Sequence, residues 1–94
     1  MVAYVVIHMD IPSINRLLDE INADRSVPRN IRTSIEQAKS DLNNDKQDPI
    51  VRISSAISIL DEVSNDPNIP MYTRTQIWNI VSMLEVMNEE HKKK

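Results

Sequence analysis

Apolar residues recur with helical spacing in four segments of the chain. Intervals of three and four residues between apolar positions are typical of an amphipathic α-helix that buries one face. The predicted helices run over residues 11–23, 28–43, 49–64 and 70–90. The pattern therefore predicts an all-α protein with four helices.

Prolines stand near the start of each predicted helix. Proline is tolerated there because first-turn amides have no partner inside the helix. Asp10, Ser26 and Asn68 each lie two residues before a proline, and Asp48 lies directly before Pro49. These four side chains are of the types that cap helix N-termini, so we expect them to act as caps.

The helix ends carry a second prediction, because the chain has no glycine. Glycine is the usual residue in the left-handed conformation that ends many helices, and asparagine tolerates this conformation better than most other residues. We therefore expect the first three helices to end at Asn22, at Asn43 or Asn44, and at Asn65.

An internal repeat relates the two halves of the chain. Residues 18–35 align with residues 60–77 without a gap, at an offset of 42. Identical residues occupy eight of the 18 aligned positions: Leu18/Leu60, Asp19/Asp61, Glu20/Glu62, Asp24/Asp66, Pro28/Pro70, Arg32/Arg74, Thr33/Thr75 and Ile35/Ile77. We expect a four-helix up-and-down bundle made of two duplicated helical hairpins. An open pair of HEAT-like repeats is the alternative.

Three stretches of sequence resemble a known family. They are SVPRNIR at 26–32, DPIVRISSAISILDEVSNDPN at 48–68 and TRTQIW at 73–78. They are similar to an uncharacterised archaeal protein family of short four-helix proteins with no assigned activity. The resemblance implies a compact four-helix fold and contributes no substrate, cofactor or site residues. Residues 1–8 lie outside the resemblance.

The length and composition of the chain limit its organisation and chemistry. Its 94 residues correspond to one domain, which we place at residues 10–90. We expect residues 1–9 to be either an apolar strap or an artefact of the start codon, with Met1 and Met9 both possible starts, and residues 91–94 to be a basic tail. The absence of Gly excludes phosphate-binding and dinucleotide-binding loops, and the absence of Cys excludes disulfides and Cys-rich zinc sites.

The net charge of the chain and the length of its apolar segments indicate which partners and which location to expect. The net charge is −3, and a slightly acidic surface disfavours binding to nucleic acids and anionic lipids. No apolar run is long enough to span a bilayer, and no secretory signal is present. We expect a cytoplasmic protein without a membrane partner.

Two arginines occupy equivalent positions in the repeat, one turn into the second and fourth helices. Arg32 and Arg74 follow helices that end near the acidic pairs Asp19-Glu20 and Asp61-Glu62. We expect each arginine to form a structural clasp, either to these carboxylates or to the last carbonyls of the preceding helix. The alternative is an anion site at a helix N-terminus.

Two basic clusters suggest an alternative function, contact with nucleic acids. Arg25, Arg29 and Arg32 form one cluster, and the lysines of the C-terminal tail form the other. Either could contact phosphate in a nucleic-acid accessory protein, although the neighbouring carboxylates offset the arginines. We expect the tail to stabilise the C-terminus of the fourth helix instead.

Catalytic and metal sites find little support in the sequence. His8 and His91 lie at opposite ends of the chain, and neither has the Glu-x-x-His spacing by which bundles bind metals. Adjacent carboxylates such as Asp61 and Glu62 point about 100° apart on a helix, so one of each pair at most can face a common site. We expect no enzyme, cofactor or metal, although an unrecognised carboxylate site would make the protein an enzyme.

The apolar residues of the fourth helix cover more of its circumference than one core requires. Ile77, Ile80, Val81 and Leu84 suffice for an inward stripe. This assignment leaves other apolar side chains as candidates for a protein interface: Trp78, Met83, Val86 and Met87. We expect a non-enzymatic protein-interaction or assembly module, with a homo-oligomer, in particular a homodimer, as the expected state.

Overall fold

Four α-helices form the fold in a computed structural model that describes residues 10–93. The helices are α1 (Ile11–Ala23), α2 (Arg29–Leu42), α3 (Pro49–Ser64) and α4 (Met71–Lys92). No strand occurs among the described residues. The predicted all-α class and the four helices are confirmed. The expected strap at residues 1–9 lies outside the described residues.

The helices close into a ring. Each helix packs against the next one in the chain, and α1 also contacts α4. The contacts of α3 with α2 and α4 are the most extensive, whereas the contact between α1 and α4 is the smallest. This closed arrangement is a four-helix bundle and not an open pair of repeats.

The core follows the internal repeat. Every buried residue between Ile14 and Leu42 has a buried counterpart 42 positions later. The first-half residues are Ile14, Leu18, Ile21, Val27, Ile31, Ile35, Ala38 and Leu42, and their counterparts are Ala56, Leu60, Val63, Ile69, Thr73, Ile77, Ile80 and Leu84. The two hairpins therefore bury equivalent faces, while their origin by duplication stays a prediction.

The helix starts differ in part from the prediction. Asp10 caps α1 as expected, because its carboxylate accepts a hydrogen bond from the backbone N–H of Ser13 at 3.0 Å. Helices α2 and α4 begin only after their prolines and have no side-chain cap. Ser26 and Asn68 do not cap them, because the residues at the N-cap positions are Pro28 and Pro70; the backbone N–H groups of Ser26 and Asn68 donate to the carboxylates of Asp24 and Asp66. The turns formed by these bonds lie before α2 and α4.

The prediction of left-handed asparagines at the helix ends is wrong. No residue between 10 and 93 has a positive φ, and the terminal residues Asn43 and Asn65 have φ angles of −101° and −88°. Side chains satisfy end carbonyls instead. The Asn43 amide donates to the Lys39 carbonyl at 2.7 Å, and Arg52 Nε donates to the Leu42 carbonyl at 2.9 Å. A glycine-free chain thus ends its helices without the left-handed conformation.

Candidate functional site

Arg74 joins α4 to the end of α3. Its Nε donates to the carbonyl oxygen of Ser64 at 2.9 Å, and a terminal nitrogen donates to the carbonyl oxygen of Asp66 at 3.0 Å. The carboxylates of Asp61 and Glu62 are exposed, and within residues 10–93 neither forms an ion pair with Arg74. Of the two predicted forms of the clasp, the structure contains the one that uses backbone carbonyls.

Arg32 occupies the equivalent position in the first hairpin but lacks these bonds. Its Nε is buried and has no hydrogen-bond partner among residues 10–93. It forms no ion pair with Asp19 or Glu20 in that range, and Asp19 instead binds Lys39 at 2.7 Å, which raises the pKa of the lysine. Arg32 therefore does not repeat the clasp formed by Arg74.

A polar cleft surrounds Arg32 between α1 and α2. We define the α1–α2 cleft as an open surface depression of about 280 Å³ by its lining residues: Asn22, Arg29, Arg32, Thr33 and Glu36. The Asn22 amide nitrogen donates to the Glu36 carboxylate at 2.7 Å, which fixes the orientation of the amide. Its oxygen, Oδ1, is buried and has no partner among residues 10–93. Two buried polar atoms beside the cleft, Arg32 Nε and Asn22 Oδ1, therefore lack a hydrogen-bond partner among residues 10–93.

The same place in the second hairpin has a different character. At an offset of 42 residues, the cleft residues correspond to Ser64, Met71, Arg74, Thr75 and Trp78. Arg74 is bonded internally, while Met71 and Trp78 replace Arg29 and Glu36. The equivalent surfaces thus differ, because the first hairpin has two charged side chains where the second has two large apolar ones.

Large apolar side chains are exposed on the N-terminal half of α4. Met71 is 69% exposed, Tyr72 70% and Trp78 53%. The inward stripe is as predicted, because Ile77, Ile80, Val81 and Leu84 are all buried. We define the α4 face as the exposed row Met71, Thr75, Trp78 and Ser82, whose spacing of three and four residues places them on one side of the helix.

The other interface candidates lie elsewhere on α4. Met83, Val86 and Met87 are half-buried, and the two methionines pack against the hydrophobic core. Met83 lies five residues after Trp78, which separates them by about 140° around the helix. The structure therefore does not bring the four candidates into one patch. Sequence reasoning missed Met71, although its position seven residues before Trp78 places both on one side of the helix.

The remaining candidates are dispersed over the surface. Arg25 is exposed in the turn before α2, Arg29 is exposed as the first residue of α2, and His91 and Lys92 lie in the last turn of α4. Between residues 10 and 93, no group of three or more His, Asp or Glu side chains is placed to hold a metal ion. None of the four helices is both long and apolar enough to cross a membrane.

Comparison with known proteins identifies the family. The profile of the uncharacterised protein family UPF0147 matches residues 5–87. The chain belongs to the UPF0147 family. The match includes residues 5–8, which the sequence analysis placed outside the resemblance.

Relatives of this UPF0147 chain come from archaea. The UPF0147 protein MJ1419 of Methanocaldococcus jannaschii is 59% identical over 69 residues, which cover 73% of this chain and 74% of the relative. A UPF0147 protein of Methanothermobacter thermautotrophicus is 51% identical over 76 residues, which cover 81% and 74%.

Two crystal structures have the same fold as this UPF0147 chain. The protein of unknown function MMP1188 matches with a TM-score of 0.77 and 52% identity, covering 80% of this chain and 85% of that one. A UPF0147 protein from Thermoplasma acidophilum matches with a TM-score of 0.75 and 36% identity, covering 79% and 87%. Neither description assigns an activity, so the site itself must carry any functional argument.

Proposed function

We propose that the protein is a non-enzymatic interaction module that forms a homodimer through the α4 face. The exposure of Trp78, next to Met71 on the same side of the helix, is the observation that carries the proposal. Aromatic residues and methionine are enriched at protein interfaces, where tryptophan is a frequent energetic anchor. A single helix that presents both side chains to solvent therefore favours a protein partner.

The charge distribution favours a second copy of the chain as that partner. Residues 75–84 contain no charged side chain, although 27% of the whole chain is charged. Arg74, the charge nearest to this segment on its N-terminal side, is bonded to carbonyls at the end of α3. A two-fold axis brings the same surface from each subunit together, so an uncharged surface meets no like charge across the axis.

The order of large and small residues on the α4 face also suits antiparallel self-pairing. The pairs Met71 with Ser82 and Thr75 with Trp78 are centred on the same point of the helix. Antiparallel contact of two α4 helices would place each large side chain against a small one of the second copy. The Thr75 hydroxyl already donates to the Met71 carbonyl at 3.2 Å, so burial of Thr75 would leave no unpaired hydroxyl donor.

Sedimentation equilibrium tests this proposal with a matched pair of variants. Ser82→Arg adds charge to the α4 face, whereas Ser40→Arg adds the same charge to an exposed position on α2. Wild type and Ser40→Arg should approach twice the chain mass of 10.8 kDa with rising concentration, while Ser82→Arg should remain monomeric. A wild-type protein that stays monomeric at about 0.5 mM, or equal effects of the two variants, would contradict the homodimer.

A further inference from the structure

A depression lies at the end of the bundle where α1 and α3 begin and where α2 and α4 end. We define this end depression, of about 220 Å³, by its lining residues from all four helices: Ile11, Leu42, Pro49, Arg52, Ile53 and His91. Leu42 and Ile53 are buried, whereas Ile11 is half-buried and Pro49 is exposed. Four of the six residues are apolar, so an apolar side chain is the favoured occupant. None of the six belongs to the α4 face, so occupation of the end depression does not depend on dimer formation.

An apolar segment of the same chain leads into this end of the bundle. Residues 1–9, which precede the described part of the chain, contain no Asp, Glu, Lys or Arg, and residues 5–7 are all β-branched. Asp10 follows them in an extended conformation, with φ of −136° and ψ of 170°, and the next residue, Ile11, lines the end depression. Ile7 is four residues from Ile11, so their Cα atoms are at most about 14 Å apart. The apolar segment is therefore held close to the end depression.

The internal repeat identifies Ile7 as the residue suited to the end depression. Three residues of α3 line it, at positions 49, 52 and 53, and their counterparts 42 positions earlier are Ile7, Asp10 and Ile11. Helix α3 covers its side of the end depression with its own first turn, whereas α1 begins about one turn later in the repeat. Because the two hairpins bury equivalent faces, the residues before Asp10 are suited to cover the other side. Ile7 is the counterpart of Pro49 in this arrangement.

The family profile also includes the end of this segment. It matches residues 5–87 and so begins six residues before α1. Residues 5–9 therefore share the sequence pattern of the domain. A segment that belongs to the pattern of the domain and lies beside an apolar depression is suited to pack against the bundle.

We propose that residues 5–9 cross this end of the bundle as an extended strap and close the end depression, with the Ile7 side chain between Ile11 and Pro49. β-branched residues favour an extended chain, in which successive side chains point to opposite sides. Val6 therefore points away from the bundle when Ile7 points into it. A segment tethered beside the end depression reaches it at a high effective concentration, which favours the same chain over a second copy as the occupant.

Nuclear Overhauser effects in the full chain test this contact directly. We expect cross-peaks between the Ile7 δ1 methyl group and protons of Pro49, which lies 42 residues later in the sequence. The methyl groups of Val6 should show no cross-peaks with Pro49. Absence of the Ile7 cross-peaks would overturn the proposal. Cross-peaks found only between differently labelled copies in a mixed sample would overturn it as well, in favour of a second copy as the occupant.

Two matched variants test whether the contact stabilises the fold. Ile7→Asp places a charge in the end depression and should raise the equilibrium constant of unfolding about fivefold or more, with the transition still cooperative. Val6→Asp places the same charge on the side that points away and should raise this constant less than about twofold. Urea denaturation of the full chain under monomeric conditions measures both. Equal effects of the two variants, or no effect of Ile7→Asp, would overturn the placement of Ile7.

Discussion

The Nε atom of Arg74 donates a hydrogen bond to the carbonyl oxygen of Ser64 across 2.9 Å. This contact joins the first turn of α4 to the last residue of α3, and Arg52 repeats it from α3 to Leu42 at the end of α2. In both cases the acceptor lies ten residues before the arginine. Arginines from the following helix thus satisfy terminal carbonyls in a fold that has no glycine.

Replacing these arginines should destabilise the protein in a defined order. Arg74→Ala should lower the free energy of unfolding by about 1 to 3 kcal/mol, because it removes two bonds from a half-buried charged donor. Arg52→Ala removes one such bond and should cost less, and Arg32→Ala should cost least. Urea denaturation measures all three. A loss for Arg32→Ala as large as that for Arg74→Ala would show that Arg32 is also a clasp.

Helix positions were predictable from the sequence because local signals agreed with the packing. Apolar spacing located all four helices to within two residues at each end, and the repeat anticipated which faces would be buried. The helix ends were not predictable in detail. The Asn43 side-chain amide donates to the Lys39 carbonyl, and the Leu42 carbonyl accepts a hydrogen bond from Arg52 in the next helix. The second contact is tertiary and leaves no local signal at the helix end.

The candidate surfaces were harder to predict from the sequence. The excess apolar character of α4 was visible, but its division between opposite sides of the helix depends on where α1 and α3 pack. Met83 therefore contacts the core while Trp78 is exposed. Likewise, identical arginines at positions 32 and 74 gave no sign that one would be bonded and the other unpaired.

Met83 and Ser82, which are adjacent on α4, test the division of this helix into a core-facing side and an exposed side. Met83→Asp should lower the free energy of unfolding by about 0.5 to 3 kcal/mol, because the side chain packs against the core. Ser82→Arg should leave stability within about 0.5 kcal/mol of wild type, because Ser82 is exposed. Thermal and urea denaturation under monomeric conditions compares the two. Equal destabilisation would contradict the placement of the two side chains.

The N-terminal cap of α1 should make stability depend on pH. The hydrogen bond from the Ser13 backbone N–H holds the pKa of Asp10 below its ordinary value of 3.8. A depressed pKa in the folded state means that the carboxylate stabilises the fold above pH 3.8 and loses this effect as the pH falls through the folded value.

Asp10→Ala should therefore lower the urea midpoint at pH 7, and the difference from wild type should shrink as the pH falls below about 3.8. Asp45→Ala, in an exposed loop, is the matched loss of charge and should change the midpoint little. A difference that persists unchanged at low pH would exclude the charged cap as its cause.

Removal of residues 1–8 should leave a cooperative fold. The cap of α1 is Asp10, and the buried hydrophobic residues of the described chain lie between Ile14 and Leu84. Thermal unfolding followed by circular dichroism should retain a single sigmoidal transition. A broad, non-cooperative transition would assign these residues to the core or to an interface.

Emission from Trp78 most directly tests burial of the α4 face against a second copy of the chain. Trp78 is the single tryptophan of the protein, so its fluorescence reports on this surface alone. With rising protein concentration, its emission should shift to shorter wavelength and acrylamide should quench it less, while Ser82→Arg should show neither change. Unchanged emission and quenching of the wild type up to about 0.5 mM would contradict the account.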